Sequence, residues 1–262
     1  MLAPLDSVAA GSRPCDHTPM ADLRSRLLVE PGRKVRLEDF DTSATHGHDK
    51  ADSARTTAEQ LVRLGALQDR FWAEAKRSVL VVLQGIDAAG KDGTVKHVMT
   101  GFNPAGVSVA SFKVPTPVEL AHDYLWRVHD LVPKAVWSKR YDEINAFERH
   151  LADNGTTVVK FFLSISKDEQ RARFQARYDD PTKRWKFSMG DLEERKHWDD
   201  YQRAFDDVLS KTSTTWAPWY VIPADRKWFR DVAVSTILAD ILDGLDPAYP
   251  APADLPTDLV IE

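Results

Sequence analysis

The run Ser78-Val79-Leu80-Val81-Val82-Leu83-Gln84, followed at once by Gly85-Ile86-Asp87-Ala88-Ala89-Gly90-Lys91-Asp92-Gly93, limits this chain more than any other feature. Val79 to Leu83 form an uninterrupted, largely β-branched apolar stretch, which reads as a short strand buried on both faces in a parallel sheet. The nine residues after it fit G-x-x-x-x-G-K. A backbone that curls around phosphate must aim successive N–H groups inward, and glycine permits that curl. A helix predicted from Lys91 to Thr100 adds the positive end of its dipole, while the Lys91 ammonium reaches the outer phosphates. Strand, loop and helix in this order are the context such a motif requires. Gly85, Ala88, Ala89, Gly90, Lys91, Asp92 and Gly93 are therefore candidate phosphate-binding residues, with Lys91 also a candidate catalytic group.

Two details depart from the common nucleotide-binding loop. Asp92 stands where a Mg²⁺-binding hydroxyl is usual, and Asp87 places a carboxylate inside the loop. Like charges at ~4 Å cost about 4 kcal/mol near a surface, so a carboxylate beside phosphate calls for a cation between them. Asp87 reads as a Mg²⁺ ligand or a proton acceptor. The plainer alternative is a turn-capping carboxylate.

Elsewhere strands and helices alternate. A helix is expected from a capping-box pattern at Thr56 and Glu59, with Leu61, Leu64, Leu67, Phe71 and Ala75 at helical spacing. A second strand is expected over Val107–Phe112, helix throughout 117–151, a buried strand over Thr156–Leu163 and a basic helix over Lys167–Arg177. Ser188 is expected to cap a helix running to about Lys211, before a last strand over Trp219–Ile222 and a closing helix over Asp231–Leu242. This alternation predicts an α/β fold with an open, mostly parallel sheet covered on both faces. Residues 1–54 read as an irregular arm, with Met20 a candidate initiator and 1–19 outside the native start. The domain proper is expected over 55–247, with a tail over 248–262.

Composition narrows the partners. A formal charge of −5 argues against wholesale nucleic-acid binding. No apolar run approaches the ~20 residues of a membrane span. One cysteine, Cys15, cannot form an internal disulfide, so a cytoplasmic home is expected. Exposed aromatics around Trp198–Tyr201 and Trp216–Tyr220 would suit contacts in a homo-oligomer.

Lysine and arginine are locally concentrated between Gln170 and Lys196. Arg173 and Arg177 fall four apart, on one helical face; Lys183, Arg184, Lys186, Arg195 and Lys196 follow. Phosphoryl transfer needs cations around the migrating group, and arginine offers a fixed fork of donors. The Pro-containing stretch 179–190 reads as the hinged part of a lid over about 167–200. Asp168, Glu169, Asp191, Glu193 and Glu194 could instead pair these bases on a solvated face. Asp225-Arg226-Lys227 forms a smaller basic group after the last strand.

The strings GIDAAGKDG, SFKVPTPVELAHDYLWRVH, LVPKAVWSKRYDEINAFE, GTTVVKFFLSISKDEQRARF, DPTKRWKFS, DLEERKHWDDY and WAPWYVIPADRKW resemble the polyphosphate kinase 2 family. The resemblance runs from about residue 20 to about 247. It implies a P-loop kinase fold, thymidylate-kinase-like, with a helical lid. It also implies Mg²⁺-dependent transfer between inorganic polyphosphate and a nucleoside mono- or diphosphate, with a nucleoside triphosphate on one side of the reaction. Asp87 and Lys91 match the family's loop acid and lysine; Arg177, Arg195 and Lys196 match its lid cations.

One segment of the family pattern is missing. After Trp126-Arg127-Val128-His129 the resemblance leads one to expect a strand ending in F-N-R-S-x-Y-E-D, carrying an arginine and a metal-side acid. Here Asp130-Leu131-Val132-Pro133 follows directly. The expected strand would lie between the phosphate-loop strand and the one over Val107–Phe112, so a defect is expected beside Ser78–Gln84. Three functions stay open: a polyphosphate-dependent nucleotide kinase, a catalytically impaired member that binds phosphates or partner subunits, and a kinase using ordinary nucleoside triphosphates on another small acceptor.

Overall fold

A computed structural model describes residues 23–111 and 139–251. Its sheet has the order β1-β4-β3-β2, where β1 is Leu28–Val29, β2 Ser78–Gln84, β3 Thr156–Ser164 and β4 Trp219–Pro223. The three longer strands are parallel, with Ser78 opposite Thr156 and Lys160 opposite Trp219; β1 pairs antiparallel with β4. Numbering only the described helices, α1 is Leu23–Leu27, α2 Lys50–Glu74, α3 Lys91–Val98, α4 Arg140–Asp153, α5 Lys167–Asp179, α6 Met189–Glu194, α7 Trp198–Thr212 and α8 Lys227–Gly244.

Alternation along the strands supplies two cores. Val159, Phe161, Leu163, Tyr220 and Ile222 face a cluster with Leu64 and Leu67 of α2 and the buried side of α8. Phe162, Trp219 and Val221 face the other way, against Leu209 of α7 and Val29, Val35 and Leu37. Both faces are covered, as parallel sheets require.

The segment read as an irregular arm over 1–54 is, from Leu23 on, part of this core. Leu23, Leu27, Val29, Val35 and Leu37 are all buried. Leu23 and Leu27 share one face of α1, whereas Val29, Val35 and Leu37 reach the core from β1, a loop and a 3₁₀ turn, so no single period runs through the segment. The rings of His46 and His48 each lie 5.9 Å from that of Phe229. The first long helix starts at Lys50 under an Asp49 cap, so the pattern at Thr56 and Glu59 is interior to it. Thr56 bonds back to the Asp52 carbonyl and Glu59 pairs with Arg55.

Three further expectations need correction. Residues 107–111 form no strand. The ladder that would hold one there belongs to the expected neighbour of β2, and among the described residues β2 pairs with β3 alone. The helix after Ser188 breaks into α6, a 3₁₀ turn over Arg195–His197, and α7. Trp198, Trp219 and Tyr220 are buried core residues rather than exposed subunit contacts. The helical reading of 117–138 falls outside the described residues, whereas α4 bears out its last part.

Among the described residues β2 is an edge strand, and its exposure is consistent with that. Val79, Val81 and Leu83 pack against the larger core, but Leu80 on the opposite face is 40% exposed. A strand apolar on both faces is thus covered fully on neither.

Candidate functional site: the phosphate loop and its arginines

Between β2 and α3 the chain turns through unusual backbone angles: Ala88 has φ 62° and Gly90 φ 108°. At Gly90 a side chain is excluded twice over, because a Cβ would also overlap Arg230 Nη1. At Gly85 a Cβ would lie 2.8 Å from the Leu163 carbonyl oxygen. The loop therefore sits hard against β3, where the carboxyl ends of parallel strands open their crevice. The Ala89 amide closes a turn on Ile86 O at 3.0 Å, and Thr94 continues α3 onto Gly90 O at 2.9 Å.

Lys91 reaches back across this loop. Its Nζ donates to Gly85 O at 2.6 Å and to Ile86 O at 3.5 Å. Burial lowers its pKa, opposed by the charges of Asp87 and Asp92. Asp87 is exposed at the loop mouth, with Arg177 Nη1 3.5 Å from its Oδ2 and Asp191 Oδ2 3.7 Å from the same nitrogen. Arg177 is thus brought to the loop.

The other two lid cations differ. Arg195 Nη1 donates to Gln170 Oε1 at 2.7 Å and to Lys167 O at 2.8 Å. Gln170 Nε2 donates in turn to Asp87 O at 3.0 Å, so Arg195 reaches the loop through one buried amide. Lys196 is ion-paired with Glu193 at 2.6 Å on an exposed face. The 179–190 stretch folds as an Asp180 turn and a 3₁₀ turn over Arg184–Lys186. Hydrogen bonds from Lys183 and Thr182 lower the pKa of Asp180 to about 2.

Sequence reasoning missed two residues at the site, Gln170 and Arg230, and gave a third, Arg173, a different role. Gln170 is the bridge just described; Arg173 and Arg230 bond the carbonyls of Ala88, Ala89 and Gly90. Arg173 was read as a lid cation from its spacing, and no local pattern marks Arg230. Among the described residues no three of His, Cys, Asp and Glu cluster as a metal centre. Nor is any helix there long and apolar enough to cross a membrane.

The comparisons agree with this fold. The chain is 39% identical, at a TM-score of 0.84, to the crystal structure of polyphosphate kinase 2 from Arthrobacter aurescens, covering 91% of this chain and 94% of that one. It is 42% identical to the ADP-polyphosphate phosphotransferase of Rhodopseudomonas palustris, over 86% of this chain and 91% of the relative. It is 48% identical to the AMP/ADP-polyphosphate phosphotransferase of Meiothermus ruber, over 265 aligned positions that take in 90% of this chain and 99% of the relative. Ninety per cent of 262 residues is about 236, so about 29 of those 265 positions face a gap in this chain. The model of the polyphosphate kinase 2 family matches in two segments, residues 47–136 and 128–249, so residues 128–136 belong to both. By sequence, fold and phosphate loop together, the chain belongs to the polyphosphate kinase 2 family.

Proposed function

We propose that this protein transfers a phosphoryl group between inorganic polyphosphate and a nucleoside mono- or diphosphate. The observation that carries the reading is the loop itself, with Lys91 across it, Asp87 at its mouth and Arg177 3.5 Å from Asp87. The transition state of phosphoryl transfer spreads charge over the migrating group, so catalysis is mainly positioning and charge neutralisation. In this reading the loop amides and Lys91 hold the phosphate chain, and Arg177 meets charge on the migrating group. Arg195 and Lys196 extend the cationic track along the lid. The names of the Meiothermus and Rhodopseudomonas relatives support polyphosphate as one substrate and AMP or ADP as the other.

Mg²⁺ completes the reading. It binds through one or two carboxylates plus substrate phosphates, and the exposed carboxylate of Asp87 fits such a donor without a three-residue cluster. Bound there, the ion would screen phosphate charge. Arg177 then has to release Asp87 to reach phosphate. The reading includes a homo-oligomer in the cytoplasm, with exposed Trp72 and Trp185 available as contacts. The direct test is nucleotide phosphorylation by the purified chain, given long-chain polyphosphate and Mg²⁺ with each nucleotide in turn. Equal turnover with a nucleoside triphosphate donor and no polyphosphate would overturn it.

A second reading, a member that binds phosphates with impaired turnover, is favoured by β2. Among the described residues this strand has a single neighbour, and Leu80 is exposed. The shared residues 128–136 support an internal deletion at that point, and the shortfall of about 29 positions against the Meiothermus relative fits a deletion somewhere in the chain. Inserting a strand that ends in F-N-R-S-x-Y-E-D after His129 separates the two readings. A rise in both solubility and turnover supports impairment, and robust turnover by the chain without the insert argues against it.

A further inference from the structure

Behind the phosphate loop lie two arginines whose donors face protein rather than solvent. The Arg173 side chain, on α5, is 9% exposed and that of Arg230, on α8, 3%. Arg173 Nη1 donates to Ala88 O and Ala89 O, both at 2.9 Å. Its Nη2 donates to Ala224 O at 2.5 Å and Asp225 O at 3.2 Å, and its Nε to Glu169 at 2.7 Å. Arg230 Nη1 donates to Gly90 O at 3.3 Å, while its Nε and Nη2 are held by Asp231 at 2.9 and 2.7 Å. One guanidinium therefore fastens the turn after β2, the helix after β3 and the turn after β4 to one another.

The direction of these bonds has a consequence for the loop. Every peptide bond here is trans, so the C=O and N–H of one unit point opposite ways. With Ala89 O drawn to Arg173, and Gly90 O shared between Thr94 of α3 and Arg230, the amides of Gly90 and Lys91 are turned away from the arginines. We propose that Arg173 and Arg230 are positioning residues for phosphate binding, holding the loop carbonyls from the protein side so that its amides converge on the anion. The inference rests on the loop being the phosphate site. It gives the arginines no contact with substrate.

The test compares Arg173→Met and Arg230→Met with Arg77→Met. Arg77 is a partly buried arginine at the far end of β2, bonded to Leu245 O and Glu74. Amide hydrogen exchange over residues 85–93 and calorimetric affinity for tripolyphosphate without Mg²⁺ are measured on each full chain. Exchange in 85–93 is expected to speed up in both loop variants and not in Arg77→Met. Affinity is expected to fall at least roughly tenfold more than in that control, because losing one hydrogen bond to a charged group carries a loss of about that size. Arg173→Lys guards against misfolding of the Met variant; it keeps the charge but lacks the fork to span four carbonyls, so its exchange should also rise. Unchanged exchange over 85–93, or an affinity loss no larger than the control's, overturns the proposal. If the unaltered chain binds no tripolyphosphate, the phosphate reading fails, and the exchange comparison still decides whether the arginines hold the loop.

Discussion

Lys91 Nζ donates to the carbonyl oxygen of Gly85 at 2.6 Å, closing the phosphate loop across its own mouth. The ammonium sits where burial disfavours its charge, with Asp87 and Asp92 offsetting part of that cost.

This sets a pH dependence with a definite sign. The folded-state pKa of Lys91 lies below 10.5, so between the two values the unfolded chain holds more protons and stability rises with pH. Lys91→Met removes the penalty. Its melting temperature is expected to be at or above the unaltered chain's at neutral pH, with the difference shrinking as pH approaches 10.5. Phosphoryl transfer is expected to vanish. A variant that melts several degrees lower and keeps its turnover would place Lys91 in the fold and not in the chemistry.

Asp87 presents the opposite charge to the incoming anion. Asp87→Asn is expected to abolish Mg²⁺-dependent transfer while strengthening metal-free tripolyphosphate binding, since it removes a repulsion and frees Arg177. Titration with and without Mg²⁺ checks this. If metal-free affinity drops in step with turnover, Asp87 is a structural turn residue.

The three lid cations should rank by their route to the loop. Neutralising Arg177 is expected to weaken polyphosphate binding most, Arg195 less and Lys196 least, because their links are direct, through Gln170, and absent among the described contacts. Each loss should exceed that for nucleotide and reduce the salt dependence, as counterion release does on polyanions. Affinities for both ligands across a salt series decide the matter; equal losses would assign these residues to the nucleotide.

Away from the site, β3 carries a buried charge. Lys160 Nζ lies 2.6 Å from Glu148 and 2.7 Å from Thr212 O, joining α4, α7 and the sheet. Burial pushes the Glu148 carboxyl up and the Lys160 ammonium down. Breaking such a pair from one side typically costs about 3–5 kcal/mol, whereas replacing both partners by apolar side chains is often neutral. Lys160→Met alone should therefore destabilise strongly, and Lys160→Met with Glu148→Met should recover most of it, read as urea midpoints. A double variant as unstable as the single would show that the pair contributes more than mutual neutralisation.

Much of this was legible in the residues because it is local. Ser78–Gln84 is a strand with the limits its apolar run indicates, α3 opens at Lys91, and Ser188 caps the helix that follows it. Period, cap and glycine placement act over a few residues and can be read in order. The loop's candidate residues came together for the same reason, since they are consecutive.

What only the tertiary structure decided depends on residues far apart in the chain. Arg173 and Arg177 share one face of α5 four residues apart, so their spacing assigns both the same role. Yet Arg173 lies deeper, against the turns after β2 and β4, and spends its fork on carbonyls, while Arg177, one turn further along, meets the exposed carboxylate of Asp87. Val35 and Leu37 look like linker until α7 and the sheet offer them an apolar face. Residues 107–111 have strand composition but form no strand, since a strand is stabilised by a neighbour's ladder and not by its own sequence. Helix caps and phosphate loops are properties of a segment. A guanidinium's partners and a strand's existence are properties of what folds against it.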